Sequence, residues 1–189
     1  LTLILALTLT LTLTLTLTLS TLLSKGEALP PGFTLKAASG VAAGMAHLHA
    51  KKPKPIMHND LKSANILLFS GGTSQHLVAK ISDFGIASGL EMTRFGESKT
   101  ATRAKGGGGT FAYRAPETFS NDNELASEVY AFGIISWELL TLSRPWFRDE
   151  SGKRYNEGAV IKKVVIDEER PPLPPRPTTE GASTFLHDM

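Results

Sequence analysis

Four polar residues near the middle of the chain have the types and the spacing that chemistry on phosphate groups requires. Asp60, Lys62 and Asn65 lie close together in a predicted loop, and Asp83 follows beyond a predicted hairpin. The carboxylate of Asp83 and the amide carbonyl of Asn65 are hard oxygen ligands suited to Mg²⁺. Phosphoryl transfer also needs a group that orients the attacking hydroxyl and positive charge at the transferring group. Asp60 can accept the hydroxyl proton, and Lys62 can reach the γ-phosphate.

The hydrophobic pattern predicts a mostly helical domain with one small hairpin around these residues. Apolar residues that include Leu35, Val41 and Met45 recur at the spacing of one face of an amphipathic helix. Two short apolar runs flank a Ser-Gly-Gly-Thr sequence, which is typical of a β-hairpin. A later stretch is apolar around most of its circumference and indicates a buried central helix. The predicted elements are a helix over residues 35–49, strands over 66–69 and 77–81, and helices over 129–142 and 158–167.

Short sequence blocks that contain these polar residues follow one another in a fixed order. They are HNDLKSAN at 58–65, DFG at 83–85, GTFAYRAPE at 109–117 and EVYAFG at 128–133. The DFG tripeptide alone would be weak support for any family, whereas the four blocks in this order are specific. Together the blocks resemble the eukaryotic protein kinase family. The sequences of residues 60–65 and 80–85 are most similar to those of the tyrosine-kinase-like branch, whose members mostly phosphorylate serine and threonine.

The resemblance implies an α+β protein-kinase-like fold, represented mainly by its helical C-lobe. It implies an ATP-dependent protein serine/threonine kinase that uses Mg²⁺ and acts on protein hydroxyl groups. Asp60 and Lys62 match the family's catalytic positions. Asn65 and Asp83 match its metal-binding and nucleotide-binding positions. The noncatalytic alternative is a pseudokinase-like C-lobe that binds partners without transferring phosphate.

Other positions take their expected roles from the resemblance alone. Leu67 matches the residue beneath the adenine ring, and Thr110 matches the threonine that positions substrate by bridging the catalytic Asp and Lys. His58 and Phe84 are expected to pack inside the lobe as structural residues. Residues 85–109 are rich in Gly, Ser, Thr and Lys and are predicted to form a long mobile loop. The candidate phosphorylation sites in this activation segment are Thr93, Ser98, Thr100 and Thr102.

Two residues depart from the family pattern beside the predicted catalytic loop. Asn59 stands where many members place an arginine that binds a phosphorylated activation loop, so activity is not expected to depend on that pairing. Glu128 stands where an aspartate normally caps the backbone of the catalytic loop. A glutamate is one methylene longer, which predicts a poorer fit of those hydrogen bonds.

The family pattern is also expected to be incomplete at both ends. Residues 1–32 hold no glycine-rich phosphate loop and no lysine–glutamate pair of the N-lobe type, and the resemblance ends near Pro174. The N-lobe and the last C-lobe helices are therefore predicted to be missing, and the 189-residue chain made alone is expected to show little or no phosphotransfer. We divide the chain into a low-complexity segment over 1–24, a partial protein kinase domain over 25–175 and a disordered tail over 176–189.

The first 24 residues are uncharged and consist almost wholly of alternating leucine and threonine. A signal peptide needs a basic start and a small-residue cleavage site, and neither is visible. The length suits a membrane span, although threonine interrupts the apolar character at every second position. The period of two suits a strand, for which no pairing sequence is evident. We favour a simple-sequence repeat without a defined structure.

Composition limits the classes of partner and compartment. The formal net charge of +2 is too small to indicate nucleic acid as a partner. The chain has no cysteine, which excludes a disulfide framework and a thiol nucleophile and fits a reducing compartment. The predicted partners are ATP and a protein substrate with serine or threonine. The expected location is the cytoplasm, with membrane tethering through residues 1–24 as the alternative.

Overall fold

The computed structural model places helices and two small sheets around one hydrophobic core. It describes residues 14–30, 32–70, 77–84, 88–89, 110–120, 124–149 and 151–173. The helices are α1 (Leu19–Leu23), α2 (Phe33–His49), α3 (Leu125–Thr141) and α4 (Glu157–Ile161), and α4 continues into a π-helical turn at Lys162–Ile166. Short 3₁₀ turns lie at Ser63–Asn65, Thr110–Tyr113 and Pro116–Ser120. The predicted helices are confirmed in position, with ends that move by a few residues.

Two small antiparallel sheets flank the helices. The strands are β1 (Thr14–Thr18), β2 (Ile56–Met57), β3 (Ile66–Ser70), β4 (Leu77–Ile81) and β5 (Ser88–Gly89). The first sheet has the order β1-β3-β4, and the second joins β2 to β5. Strands β3 and β4 pair from Ile66–Ile81 to Ser70–Leu77, which confirms the predicted hairpin strands. The turn predicted between them lies outside the described residues.

Helix α2 packs directly on strand β4 because two glycines leave room for the strand. A Cβ atom added at Gly40 would lie 2.9 Å from the Ala79 carbonyl oxygen, and one at Gly44 would lie 2.9 Å from the Ile81 side chain. The buried face of α2 runs through Phe33, Ala37, Val41 and Met45. The predicted face is therefore right at Val41 and Met45 and wrong at Leu35, which is 64% exposed. The close packing fixes the end of β4, from which Asp83 follows.

Helix α3 packs into the core on one side, in partial agreement with the predicted buried central helix, and carries polar residues on that side. Ile134, Ile135 and Leu139 are buried in the core or beside it. Val129 and Leu140 are exposed, so the helix keeps one face toward the surface. Its buried side also holds the carboxylates of Glu128 and Glu138. Because a buried carboxylate requires partners, these two residues mark polar contacts inside the fold.

The end of the leucine/threonine segment is part of the core. Strand β1 pairs antiparallel with β3, from Thr14–Ser70 to Thr18–Leu67. Thr18 caps α1 through its side-chain oxygen, and Leu19 and Leu23 join the core cluster formed by α2, α3 and the sheet. The interpretation as a repeat without structure is therefore wrong for residues 14–23, since β3 supplies the pairing strand that the sequence did not reveal. Residues 1–13 lie outside the described part.

In the described part of the chain, no helix has the length and apolar character that a bilayer span requires. After the π-helical turn the chain has no regular secondary structure at 167–173. The predicted disordered tail, 176–189, falls outside the described residues.

Candidate active site

The segment from Asp60 to Asn65 folds back on itself so that three of its polar side chains meet. The Lys62 ammonium donates to Asp60 Oδ2 at 2.5 Å. Asn65 Nδ2 donates to the Asp60 carbonyl oxygen at 2.9 Å and to Asp60 Oδ2 at 3.2 Å. The other carboxylate oxygen, Asp60 Oδ1, is buried and accepts no hydrogen bond from any residue that the structure describes. One oxygen of Asp60 is thus held in place while the other remains free to accept a proton.

A second set of hydrogen bonds ties this loop to the end of β4. The Ser82 amide and hydroxyl both donate to the Asn65 carbonyl oxygen, at 2.9 and 3.0 Å. The buried His58 ring bonds through Nε2 to the Ser82 carbonyl oxygen at 2.8 Å. Asp83 comes directly after Ser82, with a left-handed φ of 64° that an aspartate tolerates better than most residues. These bonds bring Asp83 to the same edge of the domain as Asn65.

Asn65 and Asp83 offer oxygen atoms of the kind that a magnesium ion takes. The amide nitrogen of Asn65 is occupied by Asp60, which leaves its side-chain oxygen as an acceptor. Asp83 is exposed, and its carboxylate makes no hydrogen bond to another described residue. No group of three or more acidic or histidine side chains converges among the described residues. Magnesium that is bound together with phosphates needs only one or two protein oxygens, so this donor set fits the ion.

The structure confirms one of the two predicted structural aromatic residues of the loop region. His58 is buried with 1% of its surface exposed. Phe84 is 49% exposed, so the expectation that it packs inside is wrong. Its ring contacts His58 at a centroid distance of 5.3 Å on one side. On the other side it lines an open groove of about 320 Å³ with Gly44 and His47, which leaves that face uncovered.

Glu128 makes the loop-capping hydrogen bond that its extra length had made doubtful. Its Oε1 accepts from the Asn59 amide at 2.8 Å, and its Oε2 lies 2.7 Å from His49 Nε2 at the end of α2. The expected poor fit is therefore wrong, because the longer side chain spans from α3 to both partners. Asn59 has a left-handed φ of 65°, which asparagine adopts more readily than most residues. The carboxylate thus joins α2, α3 and the loop before Asp60.

We expect Glu128→Ala to lower the free energy of unfolding by about 2–3 kcal/mol, because both the Asn59 amide and the His49 ring lose their acceptor. Glu128→Asp should have a smaller effect, since the shorter side chain keeps one of the two contacts. Urea unfolding measures both changes, with the exposed Glu27→Ala as a control for charge. An alanine variant as stable as the control would contradict the bridging role.

A buried carboxylate also links the Asp60–Asn65 loop to the turn at Thr110–Tyr113. Glu138 Oε1 accepts from the Tyr113 hydroxyl at 2.8 Å and from Ser63 Oγ at 3.3 Å. The Ser63 and Tyr113 hydroxyls are 3.0 Å apart. Glu138 Oε2 is buried without a partner among the described residues. Sequence reasoning missed this cluster, although a glutamate inside an apolar helix pattern is a usable signal for buried partners.

Burial raises the pKa of Glu138 from its ordinary value of 4.5 to about 7, against the lowering effect of its hydrogen bonds from Tyr113 and Ser63. Burial also raises the pKa of Tyr113, and the neighbouring Glu138 carboxylate raises it further. Because the folded-state pKa of Glu138 exceeds the unfolded value, the folded state binds the extra proton. Stability from this group is then complete at low pH and is lost as the pH rises through about 7.

We therefore expect the free energy of unfolding to fall between about pH 5 and pH 7, by up to about 3 kcal/mol from Glu138 alone. Glu138→Gln carries no titrating group and should lack this component. The measurement is urea unfolding of both proteins across that pH range. Equal pH slopes for the two proteins would contradict the burial effect.

The structure describes only some of the remaining predicted site residues. Leu67 lies in β3, half-buried, opposite Lys80 of β4. Thr110 begins the turn that carries Tyr113, and its side chain lies outside the described part. The candidate phosphorylation sites and most of the predicted activation loop also fall outside the described residues. The roles of Leu67 and Thr110 stay predictions.

Comparison with known proteins gives one consistent result. The protein kinase domain family matches residues 6–189. The chain is 39% identical over 144 residues to the probable serine/threonine-protein kinase pats1 of Dictyostelium discoideum. The aligned region covers 75% of this chain and 4% of that protein. It is 42% identical over 114 residues to the serine/threonine-protein kinase CTR1 of Arabidopsis thaliana, covering 59% of this chain and 12% of that protein.

A further relative is mitogen-activated protein kinase kinase kinase 10 of Mus musculus, 38% identical over 149 residues, with 75% of this chain and 14% of that protein covered. The chain thus spans between 4% and 14% of the length of these three curated relatives. The family match includes part of the leucine/threonine segment, in agreement with the packing of β1 and α1. By its family match, its relatives and its α+β architecture, the chain belongs to the eukaryotic protein kinase family, in the tyrosine-kinase-like branch.

Proposed function

We propose that this protein is a serine/threonine protein kinase whose phosphoryl-transfer site is formed by Asp60, Lys62, Asn65 and Asp83. The single observation that best supports the proposal is the state of the Asp60 carboxylate. One oxygen is fixed by Lys62 and Asn65, and the other is buried without a described partner. A carboxylate held in this way is prepared to accept a proton from a substrate hydroxyl.

In the proposed reaction, Asp60 orients the serine or threonine hydroxyl and accepts its proton through Oδ1, while the hydroxyl oxygen bonds to the γ-phosphorus of ATP and ADP leaves. Lys62 keeps its positive charge beside that carboxylate, where it can stabilise the negative charge of the phosphoryl group during transfer. Leu67 would support the nucleotide base from β3, and Thr110 would position the substrate next to Asp60 and Lys62. The substrate hydroxyl does not need to be deprotonated before the transfer begins, because phosphoryl transfer depends mainly on positioning and electrostatics.

Asn65 and Asp83 are the residues proposed to hold magnesium with the ATP phosphates. When bound, the ion neutralises phosphate charge during transfer. The hydrogen bonds from Ser82 to Asn65 keep the two donor residues on adjoining segments. The exposed Asp83 carboxylate can approach the ion without first losing a described partner.

Nucleotide binding tests the proposal without depending on a protein substrate. The protein, expressed in its source cells and purified, should show a higher thermal unfolding midpoint with Mg-ATP than with ATP and a magnesium chelator. Asp83→Ala should remove most of that magnesium-dependent increase, and the surface control Asp167→Ala should keep it. An equal Mg-ATP effect in the Asp83→Ala protein would reject the assigned metal role.

A further inference from the structure

Three arginine side chains surround one phenylalanine ring in the loop between α3 and α4. The guanidinium carbons of Arg144, Arg148 and Arg154 lie 5.5, 5.2 and 5.0 Å from the centroid of the Phe147 ring. All three arginines are exposed, and none forms an ion pair with a carboxylate in the described residues. We call these four residues the arginine cluster. Packing on one ring holds the three positive charges together at the surface.

The backbone of the loop reinforces this arrangement. Arg148 and Arg154 face each other in an isolated antiparallel bridge, so their side chains are neighbours. Like charges in such opposed positions repel each other, which an anion bound between them would relieve. Arg148 Nη1 also donates to the Gly152 carbonyl oxygen at 2.5 Å, which restricts its side chain. The cluster therefore presents partly fixed guanidinium groups.

Asp149, the acidic residue of the loop that the structure describes, forms no ion pair with the cluster. Asp149 Oδ1 accepts from the Ser151 amide and hydroxyl, at 2.9 and 2.6 Å, and from the Lys153 amide at 3.0 Å. Its carboxylate thus stabilises the turn. Residues 144–154 contain four basic and two acidic side chains in all, and the second acidic residue, Glu150, lies outside the described part. A positive surface remains.

The cluster lies beside the turn that is joined to the catalytic-loop segment. The Arg144 charge acts on both Tyr113 and Glu138, lowering the pKa of each against the effect of burial. Tyr113 and Glu138 bond to Ser63, which is next to Lys62. Helix α4, which begins three residues after Arg154, also contacts the turn at Thr110–Tyr113, so we infer that a peptide with its hydroxyl at Asp60 passes along this side of the domain.

We propose that the arginine cluster is a specificity site that binds acidic side chains of the protein substrate near the phosphorylated serine or threonine. The inference deepens the proposed kinase function and rests on it for the placement of the acceptor hydroxyl. The bound groups are carboxylates, for which guanidinium groups offer paired N–H donors. Acidic substrate segments are thereby attracted and basic ones repelled.

The test is peptide binding in the absence of ATP, measured by fluorescence anisotropy with the Asp60→Asn protein at low salt. The probe is a serine peptide flanked by Asp and Glu, compared with the same peptide carrying Asn and Gln. We expect the acidic peptide to bind about tenfold more tightly. The triple variant Arg144→Gln/Arg148→Gln/Arg154→Gln should lose this preference. The matched control Lys25→Gln/Lys52→Gln/Lys54→Gln, which removes the same charge elsewhere, should keep it.

Reversing the charge of two arginines tests for a switch in peptide preference, which a general loss of binding could not produce. Arg148→Glu/Arg154→Glu should prefer a Lys-flanked peptide, and a thermal melt checks that each variant is folded. Equal affinity of the Asp60→Asn protein for both peptides would overturn the inference, as would an equal loss in the lysine control. Tighter arginine-dependent binding of an RNA oligonucleotide or an anionic vesicle would also overturn it. The binding test involves no phosphate transfer and so does not depend on catalysis. A failure of the kinase proposal would appear separately, as peptide binding without turnover in the protein that keeps Asp60.

Discussion

Replacing Asp60 by asparagine is expected to lower the rate of phosphotransfer by a factor of about 10²–10⁴ while leaving the fold intact. The amide keeps an oxygen that can accept from Lys62 and Asn65, so the loop should hold its shape. It cannot accept the proton of the substrate hydroxyl as a carboxylate does. The effect follows from Asp60 Oδ1, the carboxylate oxygen of this loop that is buried without a partner among the described residues.

The rate is measured with the protein expressed in its source cells, at saturating Mg-ATP and with a mixed protein substrate. Asp167→Asn is the matched control, because Asp167 forms a surface ion pair with Lys162 at 2.7 Å, outside the proposed site. Thermal melts of both variants show whether folding is retained. A folded Asp60→Asn protein with the activity of the control would remove Asp60 from the proposed mechanism.

Leu19→Ala is expected to lower the free energy of unfolding by about 2–5 kcal/mol. Leu19 has none of its surface exposed and lies in the core cluster with residues of α2, α3 and β3. Removing most of its side chain leaves a cavity that the rigid surroundings fill only in part. The effect should be large even though the residue belongs to a repetitive leucine/threonine segment.

Leu35→Ala is the matched control, because it removes the same atoms from a leucine that is 64% exposed. We expect that variant to stay within about 0.5 kcal/mol of the original protein. Chemical denaturation with a fluorescence or circular dichroism signal gives both values. If Leu19→Ala were no more destabilising than Leu35→Ala, the segment would not contribute to the core.

The elements around the site could be predicted from the sequence because their signals are local. The spacing of apolar residues placed α2 and α3, and two short runs around a turn sequence placed β3 and β4. The family shown by the comparisons was also evident from the ordered motif blocks. The proximity of Asp60, Lys62 and Asn65 follows from their spacing in one loop.

The contacts that the sequence did not reveal are those between distant residues. Strand β1 looked unpaired because its partner β3 carries no matching repeat. The reach of Glu128 to both Asn59 and His49 depends on the separation of α2 and α3, which spacing alone does not give. Phe84 was assigned to the interior by its motif, yet it contacts His58 on one side only. Each of these outcomes is set by packing between elements.

The most direct test of the kinase proposal is transfer of the γ-phosphate of ATP to three peptides that differ only in Ser, Thr or Tyr at the acceptor position. The protein from its source cells is compared with its Asp83→Ala variant, and the products are identified by mass spectrometry. We predict magnesium-dependent phosphate on the serine and threonine peptides, little on the tyrosine peptide, and none with Asp83→Ala. Transfer that persists in the Asp83→Ala protein, or its absence from the original protein with bound Mg-ATP, would contradict the proposed function.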